Sequence, residues 1–287
     1  MKQATRNHFN EIIQCGYTAC WDSLCNNSSS ECSKLVSSQQ LNNNIANFHL
    51  PEPWNGDIEN AEIVFLGPNP GYDSDEFFPT PTSNYWNFVP NRIPSSVMED
   101  FFENRFSPQN RAGIDNPYVR IEDNNTKYRT LRANTIEYPK RAYTGYWKYI
   151  YEIADYEIFQ KSGKHPTPGV EYCVTEVARC KSTSTNGVNI NKCVARCAKK
   201  YLLKTLSLAT NMKLLVVVGG LARDVVYNLL DGQICEPDMN SCQSFSQVTL
   251  PEGQKVDIVF IPHNNARGVN RGTLSKYKTF HPKGLLK

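Results

Sequence analysis

The sequence predicts an α/β fold: a three-layer α/β/α sandwich around a central, mostly parallel four-stranded sheet. Three observations carry this. Four short apolar runs, "AEIVFLG" (61–67), "EYCVTEVA" (171–178), "KLLVVVGG" (213–220) and "VDIVFIPHN" (256–264), read as strands, the third apolar throughout, as a strand covered on both faces should be. Stretches with helical spacing separate them, the alternation from which parallel sheets are built. Polar loops, "GPNPGYDSDE", "TEVARCKS" and "PHNNARGVNRG", follow three of the runs. Open α/β sheets bind ligands at such strand ends.

Taken in order, residues 5–15 suit a short helix. Residues 15–45 are rich in Cys, Ser and Asn, with apolar positions too sparse for regular structure. The first strand, 61–67, precedes an irregular region, 72–142, interrupted by a short helix near 96–105. A loop region of that length in a compact domain is functional or covers something. "GYWKYIYEIADYEIFQ" (145–160) has helical apolar spacing. The second strand leads to "NKCVARCAKKYLLKTLSLAT" (191–210), an amphipathic helix with Val194, Cys197, Tyr201, Leu202, Thr205 and Leu208 on one side. The third strand ends in Gly219-Gly220 and a helix over 221–230; the fourth ends in a polar loop. No internal repeat occurs. The expected organisation is a single domain, 1–287, with a Cys-rich N-terminal segment (1–50) and a long loop insertion (72–142) over the pocket.

The chain has 287 residues and a formal net charge of only +3, so bulk charge does not establish a polyanion partner. Its distribution says more. From Asn264 to Lys287 there are six basic residues (Arg267, Arg271, Lys276, Lys278, Lys283 and Lys287) and no acid. Such a run is either a phosphate-contacting surface or a solvated tail. No apolar run reaches the roughly 18 residues of a membrane span, and the N-terminus "MKQATRNHFNEII" lacks the apolar core of a signal peptide. A cytoplasmic monomer is expected, with no membrane partner. Ten cysteines in that compartment point to metal or cluster ligation before disulfides.

In Gly67-Pro68-Asn69-Pro70-Gly71, the prolines fix φ and remove donors, while the glycines permit close approach. The product is a stiff turn that presents Asn69. An amide is a poor base, but its oxygen orients a water. That suits a reaction whose leaving group departs early and whose transition state is cationic. His263, past the fourth strand, is placed to stabilise a departing anion by hydrogen bonding. Glycines and arginines follow it, as suits a backbone close to phosphates. The blander readings are an Asn that caps its own turn and a His satisfied within the structure.

The order of these pieces over residues 60–280 resembles the uracil-DNA glycosylase superfamily. "GPNPG" is similar to the first motif of its thymine/mismatch-specific and single-strand-selective branches. "VTEVARCKS", "CVARCAKKYLLKTL" and "LLVVVGGLA" are similar to its iron–sulfur branch. The resemblance implies a DNA partner, base flipping and cleavage of an N-glycosidic bond. It implies that Asn69 positions the water, in a site with Gly67, Pro68, Pro70 and Gly71, and that His263 stabilises the leaving base. Phe78 or Tyr85 would stack on the base. Arg267 would enter the vacated stack, with Arg271 and Lys276 on the DNA. Asp73, Asp75 and Glu76 lie nearby in the sequence, either to assist the water or balance the cation, or as a solvated acidic loop. No lysine stands in the motifs to form a Schiff base, so a monofunctional enzyme is expected.

The chain also departs from the family. Relatives carry an Asn at the end of the second strand that reads the uracil edge; Glu176 stands here. An ionised Glu only accepts hydrogen bonds, so it repels uracil O4 and favours the cytosine N4 amine. A protonated Glu serves N3 and N4 of cytosine together. The alternative is a Glu176 outside the pocket or paired with Arg179. Gly71 stands where the uracil-specific branch has a Tyr that excludes 5-substituents. Both departures suit a C5-modified cytosine, such as the hydroxymethyl or glucosylated base of some phage genomes, and hence anti-phage defence. A uracil repair glycosylase and a non-catalytic DNA sensor are the alternatives. A nucleotide-binding protein is weaker, since no GxGxxG or P-loop occurs. The Ser usual after the last motif is also missing; Asn264 and Asn265 follow His263.

The iron–sulfur branch takes two ligands near the N-terminus and two between the second and third strands. Cys180 and Cys197 match the second pair. The first departs, since Cys15, Cys20, Cys25 and Cys32 contain no CxxC; Cys20 and Cys25 are the expected members. A structural 4Fe-4S cluster, a zinc ion and reduced thiols without metal all remain open.

Overall fold

The computed structural model describes residues 1–17, 31–39, 47–72, 78–82, 86–105, 119–122, 127–130, 145–167, 169–183, 190–266 and 271–287. In chain order the strands are β1 (Ile63–Gly67), β2 (Val119–Glu122), β3 (Lys127–Thr130), β4 (Tyr172–Glu176), β5 (Leu214–Val218), β6 (Ser244–Thr249) and β7 (Lys255–Ile261). The helices are α1 (Gln3–Cys15), α2 (Glu31–Ser37), α3 (Ser96–Asn104), α4 (Gly145–Ser162), α5 (Ile190–Cys197), α6 (Leu203–Leu208), α7 (Gly220–Leu229) and α8 (Leu274–Phe280). A π turn, Ala198–Leu202, joins α5 to α6.

The main sheet has the order β4-β1-β5-β7-β6. Its first four strands are the expected ones and run parallel. The four-stranded expectation is one strand short, because β6 adds an antiparallel edge beside β7. β6 escapes sequence reading because "SFSQVT" has no apolar run, and a register shift between Phe245 and Val248 breaks its alternation. Two other expectations change. Residues 31–37 are helical rather than irregular, with Cys32, Leu35 and Val36 buried at helical spacing. Within 72–142, β2 and β3 pair antiparallel.

Successive side chains of a strand point to opposite faces. On one face, Val64, Leu66, Leu215, Val217, Ile258 and Phe260 join residues of α1, α3, α5, α6 and α7 in one core. On the other, Ile63, Phe65, Leu214, Val216, Val259 and Ile261 meet α4 and Tyr277 of α8. Helices thus cover both faces of the sheet. The chain leaves β1 toward β4 and leaves β5 toward β7, in opposite directions. The carboxyl ends of β1 and β5 therefore border the crevice where such sheets bind ligands.

Two buried carboxylates are closely engaged. Glu52, 1% exposed, takes Arg105 at 3.1 Å and Lys181 at 3.2 Å. Burial alone would raise the Glu52 pKa, but the two cations outweigh it and hold the carboxyl at about 2. On the α4 face, Glu157 accepts from the Tyr277 hydroxyl (2.7 Å) and from the amides of Leu285 and Leu286 (2.7 and 2.8 Å), which docks the C-terminal segment.

Candidate active site

Pairing of β1 with β4 does not stop where the strands end. Val177 N–H donates to Gly67 O (2.9 Å), Ala178 N–H to Pro68 O (3.0 Å) and Ser182 N–H to Pro70 O (3.1 Å). Tyr72 N–H returns a bond to Ser182 O (3.0 Å). The Pro68–Gly71 turn is therefore sewn to the segment after β4. Prolines 68 and 70 lose no bond here, because only their carbonyls are used.

This fixes Asn69. Its Nδ2 donates to Ser182 Oγ at 2.9 Å and, more weakly, to Pro70 O at 3.3 Å. A carbonyl only accepts, so the atom facing Pro70 O is the amide nitrogen. Oδ1 is left as the acceptor, which is the orientation a water-positioning amide needs. Ser182 is a site residue that sequence reasoning did not single out.

Glu176 ends β4 directly beside Gly67 in register. It is 3% exposed, and its Oε2 has no hydrogen-bond partner. A Cβ on Gly67 would collide with that oxygen and with the Tyr146 hydroxyl, which is buried beside it and interacts with the carboxyl. Gly67 is thus required for close approach. Among the described residues no ion pair joins Glu176 to Arg179. That guanidinium bonds instead to Pro53 O (2.6 Å), Thr175 Oγ1 and Thr205 Oγ1 (2.9 Å). Burial, then the Glu52 carboxylate, pushes the Glu176 pKa well above its ordinary value. Both causes favour the neutral acid, a form with one donor and one acceptor.

His263 follows β7 and is stacked on Tyr146, the rings 5.1 Å apart and 11° from parallel. Tyr146 therefore touches both the Gly67–Glu176 corner and the imidazole. Burial lowers the His263 pKa, favouring the neutral ring. Its Nδ1 accepts from Asn265 N–H at 3.1 Å, which leaves the proton on Nε2 as a donor. Gly219, with φ +85°, passes beneath; a Cβ there would lie 3.6 Å from His263 Cβ. Asn264 Oδ1 and the Tyr149 hydroxyl add two more buried polar atoms without partners. Several unsatisfied groups at one sheet edge describe a polar ligand site rather than a core.

The other expected residues are distributed as follows. Gly71 is exposed, and a Cβ on it meets nothing within 4 Å. Phe78 is a core ring: His49 stacks on it at 5.1 Å, Phe101 and Phe102 meet it edge-on, and Lys181 Nζ lies 4.3 Å from its centroid. It stands in the core and not as an open platform for a base. Arg271 is exposed and Lys276 is half-buried on α8. Tyr85, Arg267, Asp73, Asp75, Glu76, Cys20 and Cys25 lie outside the described residues. Lys181 is the lysine beside the Asn69 anchor. Burial lowers its pKa to about 8, and its ion pair with Glu52 keeps it from being a free amine.

The thiols gather elsewhere. Cys15, Cys32, Cys180 and Cys197 line one cavity with Arg179, Arg196, Lys200 and Tyr201. Among the described residues, the N-terminal thiols at this cavity are Cys15 and Cys32. Three cationic side chains beside four thiols suit an anionic group, and the buried Arg179 Nε has no hydrogen-bond partner. Among the described residues no three His, Cys, Asp or Glu side chains close around a single ion. The open space is about 10 Å3, that of one water. The four thiols are of the donor type a cluster takes, but in this arrangement they enclose space for a water only.

No protein-family model matches the chain, and no curated protein matches it. The site must be read from its own geometry.

One consequence concerns stability. The unfolded chain releases the Glu176 proton above its ordinary value of 4.5, whereas the folded chain retains it. The contribution of this group to stability is full below pH 4.5 and is lost as pH rises toward the elevated folded value. Glu176→Gln is therefore expected to raise Tm at pH 8 and to change it little at pH 4. Thermal melts across that range check this; an equal shift at both ends would refute a neutral Glu176.

Proposed function

We propose that this chain is a monofunctional DNA glycosylase that hydrolyses the N-glycosidic bond of a flipped pyrimidine nucleotide, the base being a C5-modified cytosine. The observation that carries the reading is the fixed Asn69 amide. Its nitrogen is spent on Pro70 O and Ser182 Oγ, so its oxygen is left as the acceptor. Water held there adds to C1′ as the base leaves with the electron pair of the C1′–N bond. The His263 Nε2 proton stabilises charge on the departing base. Neutral Glu176, at the far end of the same corner, offers hydrogen bonds to the base edge.

A neutral carboxyl is less selective than an ionised one. It can donate to cytosine N3 while accepting from N4, and in the reverse order it can donate to uracil O4 while accepting from N3. The preference for cytosine therefore needs more than the carboxyl. The space at Gly71 bears on the 5-substituent instead, since among the described residues nothing lies within 4 Å of a Cβ there. The exposed basic residues after His263, Arg271 among them, suit a phosphate backbone.

A structural 4Fe-4S cluster on Cys15, Cys32, Cys180 and Cys197 is part of the proposal. When bound, it would cross-link α1 and α2 to the segment after β4 and to the end of α5. It has no part in the chemistry.

Duplexes carrying uracil, cytosine, hydroxymethylcytosine and its glucosylated form test the reading directly. Release of a modified cytosine is expected; release of uracil alone would replace the defence reading by repair. Asn69→Ala should reduce base release on the order of a hundredfold or more while DNA binding holds. Unchanged turnover would remove Asn69 from the mechanism. Gly71→Tyr should fold normally, since the site has room, and should reject 5-substituted bases while sparing unsubstituted ones. For the cluster, anaerobically purified protein should contain iron and be brown. Cys15→Ser and Cys32→Ser should each lower the iron content; iron-free, colourless protein would exclude the cluster.

A further inference from the structure

We propose that the Tyr146 ring is a positioning platform for His263, holding the imidazole plane so that Nε2 meets the departing base. The inference rests on the glycosylase reading, and Tyr146 lies in neither the Asn69 turn nor the His263 loop.

Three contacts leave the imidazole one free nitrogen. Asn265 N–H donates to Nδ1 at 3.1 Å. The Gly219 backbone lies by the Cδ2 edge, where an added Cβ would stand 3.6 Å from His263 Cβ and 3.8 Å from Cδ2. The Tyr146 ring lies along one face, its centroid 5.1 Å away and its plane 11° from parallel. Nε2 is the nitrogen left over.

These contacts differ in what anchors them. Asn265 belongs to the same loop as His263, so its bond sets the rotation of the ring but not the place of the loop. Tyr146 belongs to α4, an 18-residue helix docked on the sheet through Ile150, Ile153 and Ala154. Trp147 meets the Tyr146 ring edge-on at 5.7 Å. A group supported from a docked helix keeps its direction more closely than one supported from a loop. The near-parallel, offset stack resists tilting of the imidazole. Misplacement of a reacting group by about 1 Å costs on the order of a hundredfold in rate. The role belongs to the ring. The phenol hydroxyl lies at the Gly67 corner, so removing it separates the two.

The test follows base release from duplexes carrying uracil, cytosine, hydroxymethylcytosine or its glucosylated form, using the one that the wild type cleaves fastest. Tyr146→Phe, which keeps the stack, should retain kcat within about threefold, with the wild-type pH profile. Tyr146→Leu should lose about tenfold or more in kcat with little change in KM. Combined with His263→Ala, Tyr146→Leu should cost nothing further, because the two residues act as one unit. A Tyr146→Phe protein as slow as Tyr146→Leu, or a Leu loss that persists in full without His263, would overturn the positioning role and leave the glycosylase reading intact. Because Tyr146→Leu also removes packing, nitrogen-15 shifts of His263 in the wild type and Tyr146→Phe give a second readout. The Nε2-protonated tautomer is expected in both, and a different tautomer in either overturns the role. A wild-type protein that releases no base from any duplex would overturn the glycosylase reading itself, and this role with it.

Discussion

The site depends on one constraint: the parallel pairing of β1 with β4 continues past the ends of both strands. Four main-chain hydrogen bonds tie Gly67, Pro68, Pro70 and Tyr72 to residues 177–182. A turn with two prolines has few donors of its own, and this pairing asks only for its carbonyls. The bonds set the position of Ser182, Ser182 sets Asn69, and the register of the strands sets Glu176 beside Gly67. A side chain at residue 67 would break the arrangement at its narrowest place. The glycine is explained by two oxygens that need its space rather than by the turn.

Buried charge is used differently at two neighbouring positions. Glu52 is ionised because Arg105 and Lys181 reach it, and removal of a partner from such a buried group costs about 3–5 kcal/mol. Glu176 is buried with no cation in contact among the described residues, and burial first, then the field of Glu52, favours its neutral form. The ion triad thus holds Lys181 away from the role of a free amine, while toward the second carboxyl its members act in opposite senses, Glu52 favouring the neutral form and Lys181 the ionised one. On the glycosylase reading, one network bears on both the reaction type and the base edge.

Much of the frame is legible in the sequence, because β1, β4, β5 and β7 are apolar runs with few rivals. The parts that are not legible have physical reasons. β6 is an edge strand with little burial, so it lacks the apolar signal that marks its neighbours. α2 does carry a signal, Cys32 with Leu35 and Val36, but in a polar setting it is easily passed over. Within the site, Asn69, Glu176 and His263 stand out because each follows a strand. Tyr146, Tyr149, Ser182 and Asn264 do not, since only tertiary structure leaves their polar atoms together at one sheet edge. Phe78 shows the converse. An aromatic after a motif suggests a platform, yet His49, Lys181 and two phenylalanines enclose it.

Arg179 joins the two halves of the molecule's chemistry. It lies three residues past Glu176, within the segment that holds the Asn69 turn, and its side chain lines the thiol cavity. Its hydrogen bonds reach Pro53, Thr175 and Thr205, and Thr205 in turn meets His8 of α1 at 3.0 Å. Burial lowers its pKa to about 10, the mark of a guanidinium that solvent does not compensate. An anionic group on the four thiols would supply that compensation and satisfy Nε. On the cluster reading, stabilisation of the cavity is therefore also stabilisation of residues 175–182, and through them of the turn that aims Asn69.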